Sequence, residues 1–165
     1  MLSMDLNLTN QLFKSYLWAG FECTYALKKD GRMDQLAETM HNVYCREDYQ
    51  MIKELGIYTV REGLSWNEID QNGKYEFLRF EKMMEIGKQE GIQQIWDLNH
   101  FDFPEYLDPL SGDFVTQFAL YAQEAVKVIR KYQDGQLFIV PINEISFFAW
   151  IGGDVGLWAP FFKKD

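Results

Sequence analysis

Short apolar runs alternate along this chain with longer stretches of helical period. Four of the runs have the length of strands, and they predict strands at residues 16–21, 57–61, 92–98 and 137–142. The last three begin 35 to 45 residues apart, compatible with the roughly 30 or more residues of a strand–helix–strand unit. This alternation is typical of parallel strands joined by crossover helices.

Three segments between these strands have the period of an amphipathic helix. Apolar residues recur at three- and four-residue spacing at Tyr49, Ile52 and Leu55, at Phe77, Phe80 and Met84, and at Phe114, Phe118, Ala122, Ala125, Ile129 and Tyr132. Gly56, Gly91 and Gly135 predict where the three helices end, and Asp113 is the predicted N-cap of the third.

Each predicted strand finishes in polar residues. They are Glu22 for the first, Arg61 and Glu62 for the second, Asn99 and His100 for the third, and Asn143 and Glu144 for the fourth. An open doubly wound sheet would also fit the alternation, but no Gly-rich phosphate loop follows the first strand. Barrels build active sites from several strand ends. We therefore expect an α/β fold made of parallel (β/α) units of a TIM barrel, with a site for a hydroxyl-rich ligand.

Composition and charge narrow the class of protein. A chain of 165 residues that is 47% hydrophobic is long enough for one domain, drawn here as residues 1–165. A net charge of -9 without a basic stripe argues against nucleic acid and anionic membranes as partners. We find no targeting segment in the polar N-terminus and no apolar run near the ~20 residues of a membrane span. Two cysteines are too few for a disulfide framework, which predicts a reduced, cytoplasmic protein.

Three segments at strand ends resemble the motifs of one enzyme family. Residues 61–66 read Arg-Glu-Gly-Leu-Ser-Trp, residues 100–104 read His-Phe-Asp-Phe-Pro, and residues 143–144 read Asn-Glu. They resemble the Arg-Phe-Ser-Ile-Ser-Trp, His-Trp-Asp-Leu-Pro and Asn-Glu-Pro segments of family 1 glycoside hydrolases, in the same order and at the same strand ends. In outline the resemblance runs from about Tyr16 to Pro160.

The resemblance implies a role for each matching residue. Glu144 would be the acid/base carboxyl, which needs partial burial to hold a proton near neutral pH. Asn143 would bind the sugar hydroxyl next to the reacting carbon, and His100 would hydrogen-bond another sugar hydroxyl. Arg61 would lie beneath the nucleophile and favour its ionised form.

Each of these residues also has a structural alternative. Glu144 could pair with a base or a helix N-terminus, Asn143 could cap the backbone, and His100 could be a hydrogen-bonded core residue. Arg61 could instead form a buried ion pair with Glu144 or Glu62.

Departures from the family pattern limit what this chain can do. Ala26 stands where the family has a Gln that contacts the sugar, Phe101 replaces a tryptophan, and Ile145 replaces a proline. The family nucleophile is a Glu on strand seven, whereas this sequence ends at Asp165, just after the predicted fourth strand. The resemblance therefore implies a half-barrel of the first four strands that is inactive on its own.

Other side chains complete the predicted site. Glu22 and Glu62 have no counterpart in the family motif, and each is either an acceptor for a sugar hydroxyl or a strand-end salt bridge. Trp158 is a candidate for stacking on a sugar at the rim of the site, while Trp96 is expected in the core. No cofactor is implied. His41 and Cys45 are four residues apart and could lie on one face of a helix. Two ligands do not make a metal site, so no metal is predicted.

Three functions remain open at this stage. The first is a retaining β-glycosidase in which Glu144 acts together with a nucleophile outside this chain, on a carbohydrate substrate. The second is a half-barrel that pairs with a separate C-terminal half or with a second copy of itself, because its outer strands would otherwise be exposed edges. The third is a carbohydrate-binding or regulatory remnant that has lost the chemistry.

Overall fold

The structure is a computed structural model, and it describes residues 12–163. The strands are β1 Trp18–Gly20, β2 Tyr25–Lys28, β3 Gly31–Asp34, β4 Thr59–Gly63, β5 Gln93–Asp97 and β6 Ile139–Val140. The helices are α1 Gln35–Glu38, α2 His41–Glu54, α3 Trp66–Ile69, α4 Leu78–Glu90, α5 Gly112–Tyr132 and α6 Ile145–Trp150, followed by a π-helical turn at Ile151–Val155. The N-terminal segment searched for a targeting signal lies outside the described residues.

Four of the strands form one parallel sheet in the order β1-β4-β5-β6. Each corresponds to one of the predicted strands, so the α/β class with parallel strands is confirmed. Because the strands are parallel, their carboxyl ends lie along the same edge of the sheet. Three of the four strands are shorter than predicted, most of all β6, which has two residues where six were expected, whereas β4 has the predicted five residues but begins two residues later. Among the described strands β6 pairs only with β5, so few ladder hydrogen bonds extend it.

A β-hairpin follows the first strand, in a region where the sequence analysis predicts no strand. Strands β2 and β3 pair antiparallel, with Tyr25 opposite Asp34 and Lys28 opposite Gly31. Gly31 has a φ of 130°, a conformation that only glycine adopts without strain. The Asp-Gly pair at Asp30 is the sequence signal for such a turn. It was missed because each strand has only four residues, too few for a clear alternation of apolar and polar positions.

The helices cover one face of the sheet, largely where the periodicity predicts them. Gly56 and Gly91 have the left-handed backbone of helix ends, at φ 74° and 71°. Asp113 is not the N-cap of α5: Ser111 occupies that position, and Asp113 lies in the first turn, where its charge favours the helix dipole. Helix α2 begins at His41, well before Tyr49, the first residue of the predicted periodic segment.

Large side chains fill the layer between sheet and helices. Trp66, Trp96, Phe80 and Tyr121 are fully buried, which confirms Trp96 as a core residue. Trp66 stacks on Tyr121 with 5.4 Å between ring centroids. Within residues 12–163, no helix combines the length and the apolar character needed to cross a membrane. This core fixes the strands whose carboxyl ends carry the polar residues described next.

Candidate active site

Arg61 and Asp97 form an ion pair at the carboxyl edge of the sheet. Arg61 is opposite Ile95 in the β4–β5 register, and Asp97, two residues further, lies on the same face of the sheet. The Nε and Nη2 of Arg61 donate to the two carboxylate oxygens of Asp97 at 2.9 and 2.6 Å. The structural alternative for Arg61 was an ion pair with Glu144 or Glu62. The strand register brings Asp97 to Arg61, so the ion pair exists but with a different carboxylate.

His100 lies beside this pair and contacts Asp97, Cys23 and Asn143. Its Nδ1 is 2.9 Å from an oxygen of Asp97 and 3.1 Å from the sulfur of Cys23. Its Nε2 is 3.0 Å from the side-chain nitrogen of Asn143, whose oxygen accepts a 2.5 Å hydrogen bond from Arg61. His100 and Asn143 are both buried. The structure therefore brings Arg61, His100 and Asn143 together at the carboxyl edge of the sheet.

Cys23 and Asp97 belong to this cluster although the sequence analysis did not assign them to the site. A Cβ at Gly63 would overlap the sulfur of Cys23, so glycine at this position makes room for the thiol. Burial raises the pKa of the Cys23 thiol, and the charges of Asp97 and Glu62 raise it further. The sulfur is therefore a neutral thiol at neutral pH. A carboxylate inside the apolar run 92–98 was the available signal for Asp97.

Glu22 directs one of its carboxylate oxygens back to its own chain. That oxygen accepts hydrogen bonds from the backbone N–H of Cys23 at 3.1 Å and from the N–H and hydroxyl of Thr24 at 3.0 and 2.6 Å. Partial burial opposes the charge of Glu22, but the Thr24 hydroxyl and these N–H groups outweigh it and lower its pKa. The same oxygen is 3.9 Å from Nε2 of His100. Glu22 is thus an ionised side chain at the margin of the cluster.

Glu144 follows Asn143 directly and lies at the end of β6. Its side chain is exposed, and its backbone is left-handed, with φ 38° and ψ 55°. Non-glycine residues adopt this conformation rarely and at some cost in free energy. The partial burial predicted for Glu144 is wrong for the described residues, since no further strand of this part of the chain lies beyond β6.

Aromatic side chains border the cluster on the side of the loop after β6. Trp158 is half-buried and lies 5.4 Å from Phe101 and 5.6 Å from Phe147 between ring centroids. Phe101 in turn contacts the ring of His100 at 4.8 Å. Trp158 therefore packs within an aromatic group that reaches the site through Phe101.

Glu62 belongs to the opposite face of the sheet. It is fully buried against α2, where it accepts hydrogen bonds from Tyr49 at 2.6 Å and from Nε2 of His41 at 3.1 Å. Burial alone lowers the pKa of His41, but its hydrogen bonds to Cys45, Glu62 and Asp48 and the charge of Glu62 raise the pKa to about 10. Glu62 thus forms a salt bridge, and its alternative role as a sugar acceptor is wrong.

One group of side chains in the described part of the chain has donor atoms suited to a metal ion. The ligand atoms of Cys23, Asp97 and His100 all lie within 4.8 Å of one another. Thiolate, imidazole and carboxylate are the ligands that zinc accepts. The absence of a metal stays a prediction, and the hydrogen bonds of this group are considered further below.

The parallel sheet, with an Arg, a His and an Asn-Glu pair along its carboxyl edge, is compatible with a barrel glycoside hydrolase. The family model of glycosyl hydrolase family 1 matches residues 15–165. This chain belongs to glycosyl hydrolase family 1.

Individual relatives agree with this assignment. "Beta-glucosidase 40" of Arabidopsis thaliana is 28% identical over 154 residues, which cover 87% of this chain and 29% of the relative. "Beta-glucosidase 1" of the same plant is 29% identical over 166 residues, covering 84% of this chain and 30% of the relative. The chain therefore spans about 30% of the length of these curated relatives.

Solved structures show the same fold. The family 1 β-glucosidase of Exiguobacterium antarcticum B7 superimposes with a TM-score of 0.70 at 19% identity, covering 90% of this chain and 39% of that one. At this identity the likeness concerns the fold alone, and it identifies the sheet as TIM-barrel strands.

Proposed function

We propose that this chain supplies the acid/base carboxyl, Glu144, of a retaining β-glycosidase. The observation that carries the proposal is the position of Asn143 and Glu144 at the end of β6, with Asn143 hydrogen-bonded to both Arg61 and His100. Asn143 is thereby held at the strand-end cluster, and Glu144 follows it directly at the same edge of the sheet. Its carboxyl is exposed in this chain, and the proposal requires a neighbouring strand outside the chain to bury it partly, so that it holds a proton near neutral pH.

The chemistry takes place in two steps. The carboxyl of Glu144 gives its proton to the glycosidic oxygen while the bond from that oxygen to the sugar breaks, and a second carboxylate bonds to the sugar carbon. Glu144 then takes a proton from water, which attacks the same carbon and releases the second carboxylate. Retention of configuration requires the two carboxyl groups to lie about 5 to 5.5 Å apart.

The second carboxylate lies outside these 165 residues in this proposal. The carboxylate of Asp97 is hydrogen-bonded to Arg61 and His100, and Glu62 is buried on the opposite face of the sheet. One oxygen of Glu22 is held by its own backbone, and Glu22 is placed at the margin. We therefore expect this chain alone to be inactive.

Sugar binding is assigned to the residues around Glu144. Asn143 and His100 provide hydrogen-bonding groups, Glu22 provides a free carboxylate oxygen, and Trp158 lies at the aromatic border. Arg61 acts through its contact with Asn143 rather than on the nucleophile, because its guanidinium is already paired with Asp97. The substrate class is a β-glycoside, and the proposal requires no cofactor.

A partner is expected to complete the barrel. We propose that residues 1–165 form one domain, the half-barrel of the first four strands. It would pair with a C-terminal half or with a second copy, because four parallel strands cannot close on themselves. In the described residues, β1 and β6 each have one unpaired edge.

The net charge of -9 argues against nucleic acid and anionic membranes as partners. Both cysteines are free and buried, which supports the cytoplasm as the compartment.

The first experiment measures the native mass of the protein from its source together with its hydrolysis of aryl β-glycosides. A mass well above that of this chain, with activity that Glu144→Gln abolishes, is the expected result. Glu47→Gln is the matched control, because Glu47 is exposed on α2 and away from the site. Hydrolysis by this chain alone, abolished by Glu144→Gln, would place the nucleophile inside it and overturn the proposal.

A carbohydrate-binding remnant is the second candidate. The observation that favours it is the cluster itself, whose Arg61, Asp97, His100 and Asn143 are mutually hydrogen-bonded within this chain. Such a site can bind a sugar without a nucleophile. Binding that survives Glu144→Ala, without turnover by the native protein, would favour this function over the enzyme.

A further inference from the structure

We propose that Arg61, Asp97 and Cys23 are positioning residues that hold His100 as the neutral tautomer with its proton on Nδ1, and Asn143 in one amide orientation. The proposal concerns the ligand-free chain, so it does not depend on the proposed function. Its consequence for ligand binding, given below, does rest on that function. Neither Asp97 nor Cys23 belongs to the segments that resemble the family.

The argument begins with the amide of Asn143. Arg61 has only donors, so the Asn143 atom 2.5 Å from its Nη2 must be the oxygen. The amide nitrogen of Asn143 then points the other way, towards His100 Nε2 at 3.0 Å. The charge of Arg61 therefore decides which face Asn143 presents to the histidine.

The orientation of Asn143 determines where the proton of His100 lies. An amide nitrogen only donates, so Nε2 of His100 must accept and carries no proton. A neutral imidazole then has its proton on Nδ1, which faces Asp97 at 2.9 Å. Glu22, at 3.9 Å from Nε2, is too far to compete for a hydrogen bond.

Cys23 completes the surroundings of Nδ1. Its sulfur, 3.1 Å from Nδ1, is a weak acceptor and carries no charge while the thiol is protonated. Gly63 leaves the space that the sulfur occupies. The Nδ1 proton thus points at a carboxylate and a neutral thiol. This proton also occupies the position where a metal ion would bind between Cys23, Asp97 and His100. We call the hydrogen bonds from Arg61 through Asn143 and His100 to Asp97 the relay. Zinc binding would require His100 to move its proton to Nε2 and Asn143 to turn its amide over.

The tautomer defines what the site offers a ligand. Nε2 of His100 has a single lone pair, and the N–H of Asn143 already uses it in the ligand-free chain. A hydroxyl group that inserts between the two residues can donate to Nε2 and accept from the Asn143 N–H, so it exchanges one hydrogen bond for two. An ammonium group could replace only the bond to the histidine, and a carboxylate only the bond from the asparagine.

The test is the ¹⁵N spectrum of the histidine side chains in the ligand-free chain near neutral pH. The sequence has two histidines, and His100→Gln assigns their signals. We expect His100 to show a protonated Nδ1 and an unprotonated Nε2. His41 is the internal reference, expected to be protonated on both nitrogens because of its ion pair with Glu62. A protonated Nε2 on His100 would overturn the proposal.

Asn143→Asp tests the relay by replacing the donor with an acceptor of the same shape. The signal of the unprotonated Nε2 should be lost. The new carboxylate can only accept a hydrogen bond, so Nε2 must carry a proton in order to donate to it. Asn72→Asp, at an exposed turn, makes the same change of charge and should leave the spectrum unchanged. Cys23→Ser keeps a neutral acceptor and should preserve the tautomer. An unchanged spectrum in folded Asn143→Asp would contradict the relay, and should that variant not fold, the wild-type spectrum still decides the tautomer.

Discussion

His41 is a buried cation on the helix side of the sheet, opposite the face that carries Arg61. It lies between Asp48 at 2.6 Å and Glu62 at 3.1 Å, and its ring stacks on Phe21 at 3.7 Å. Its pKa of about 10 in the folded chain compares with about 6.5 for an unperturbed histidine. The ion pair therefore stabilises the contact between α2 and β4 only while His41 keeps its proton.

The pH dependence of stability follows from this shift. A raised folded-state pKa stabilises the fold fully below about pH 6.5, and the stabilisation is lost as pH rises towards about 10. Each pKa unit corresponds to about 1.4 kcal/mol, so we expect the free energy of unfolding to fall by a few kcal/mol over this range. Urea unfolding at several pH values within it measures the loss.

The control for this prediction is His41→Gln, which keeps a hydrogen-bonding side chain without the charge. Its stability should change much less with pH over the same range. The raised pKa values of Cys23 and Tyr49 also lower stability, from about pH 8.5 and about pH 10 respectively, where these groups ionise in the unfolded chain. Both effects remain in His41→Gln, so the difference between the two pH profiles measures His41. Parallel pH profiles for the wild type and His41→Gln would show that His41 is not charged in the fold.

At the scale of single residues, the sequence predicts which residues lie at the site, but it does not predict their hydrogen-bond partners. Arg61, His100 and Asn143 could be found because each follows an apolar strand run. Asp97 and Cys23 could not be assigned, because a hydrogen bond across strands depends on register, and the printed order of residues does not fix it. The exposure of Glu144 likewise depends on neighbours beyond β6.

Among the elements, strands with strong apolar runs and helices with clear periodicity were predicted correctly. The hairpin β2–β3 and the start of α2 were missed, since their stability comes from packing rather than from local pattern. Leu36, next to the hairpin, is buried in the main core, and Thr24 accepts a backbone hydrogen bond from Gln35. Such tertiary contacts override weak local preferences.

Helix α3 provides a test of a single helix cap. The hydroxyl of Ser65, its N-cap, accepts from the N–H of Glu68 at 3.2 Å and donates to buried Asp102 at 2.9 Å. Ser65→Ala should lower the free energy of unfolding by about 0.5 to 2 kcal/mol for the cap, and further because Asp102 loses a donor. Denaturant unfolding measures the change.

The matched control is Ser111→Ala at the N-cap of α5. Ser111 occupies the same position of its helix but makes no side-chain capping bond there. Its substitution should cost clearly less than Ser65→Ala. Equal losses would mean that the bond to Asp102 and the cap of α3 contribute nothing specific.

At the scale of the whole molecule, the edge at β1 is the main unsatisfied surface. Tyr16, Leu17 and Trp18 are 98%, 62% and 48% exposed, and β1 has a described neighbour on one side only. Exposed strand edges with apolar side chains tend to pair with another chain. The proposed barrel would cover this edge, whether by a C-terminal half or by a second copy.

Leu17→Lys tests this surface without touching the strand-end cluster. A charge at the edge should shift the protein from its assembled form towards the isolated chain, because burying an unpaired lysine is costly. Sedimentation velocity on the native complex measures the shift. Val115→Lys is the control, since Val115 is also exposed, at 73%, but lies on α5. If Leu17→Lys dissociates the assembly and Val115→Lys does not, the partner contacts β1. If the wild type already sediments as an isolated chain, like both variants, the half-barrel proposal is wrong.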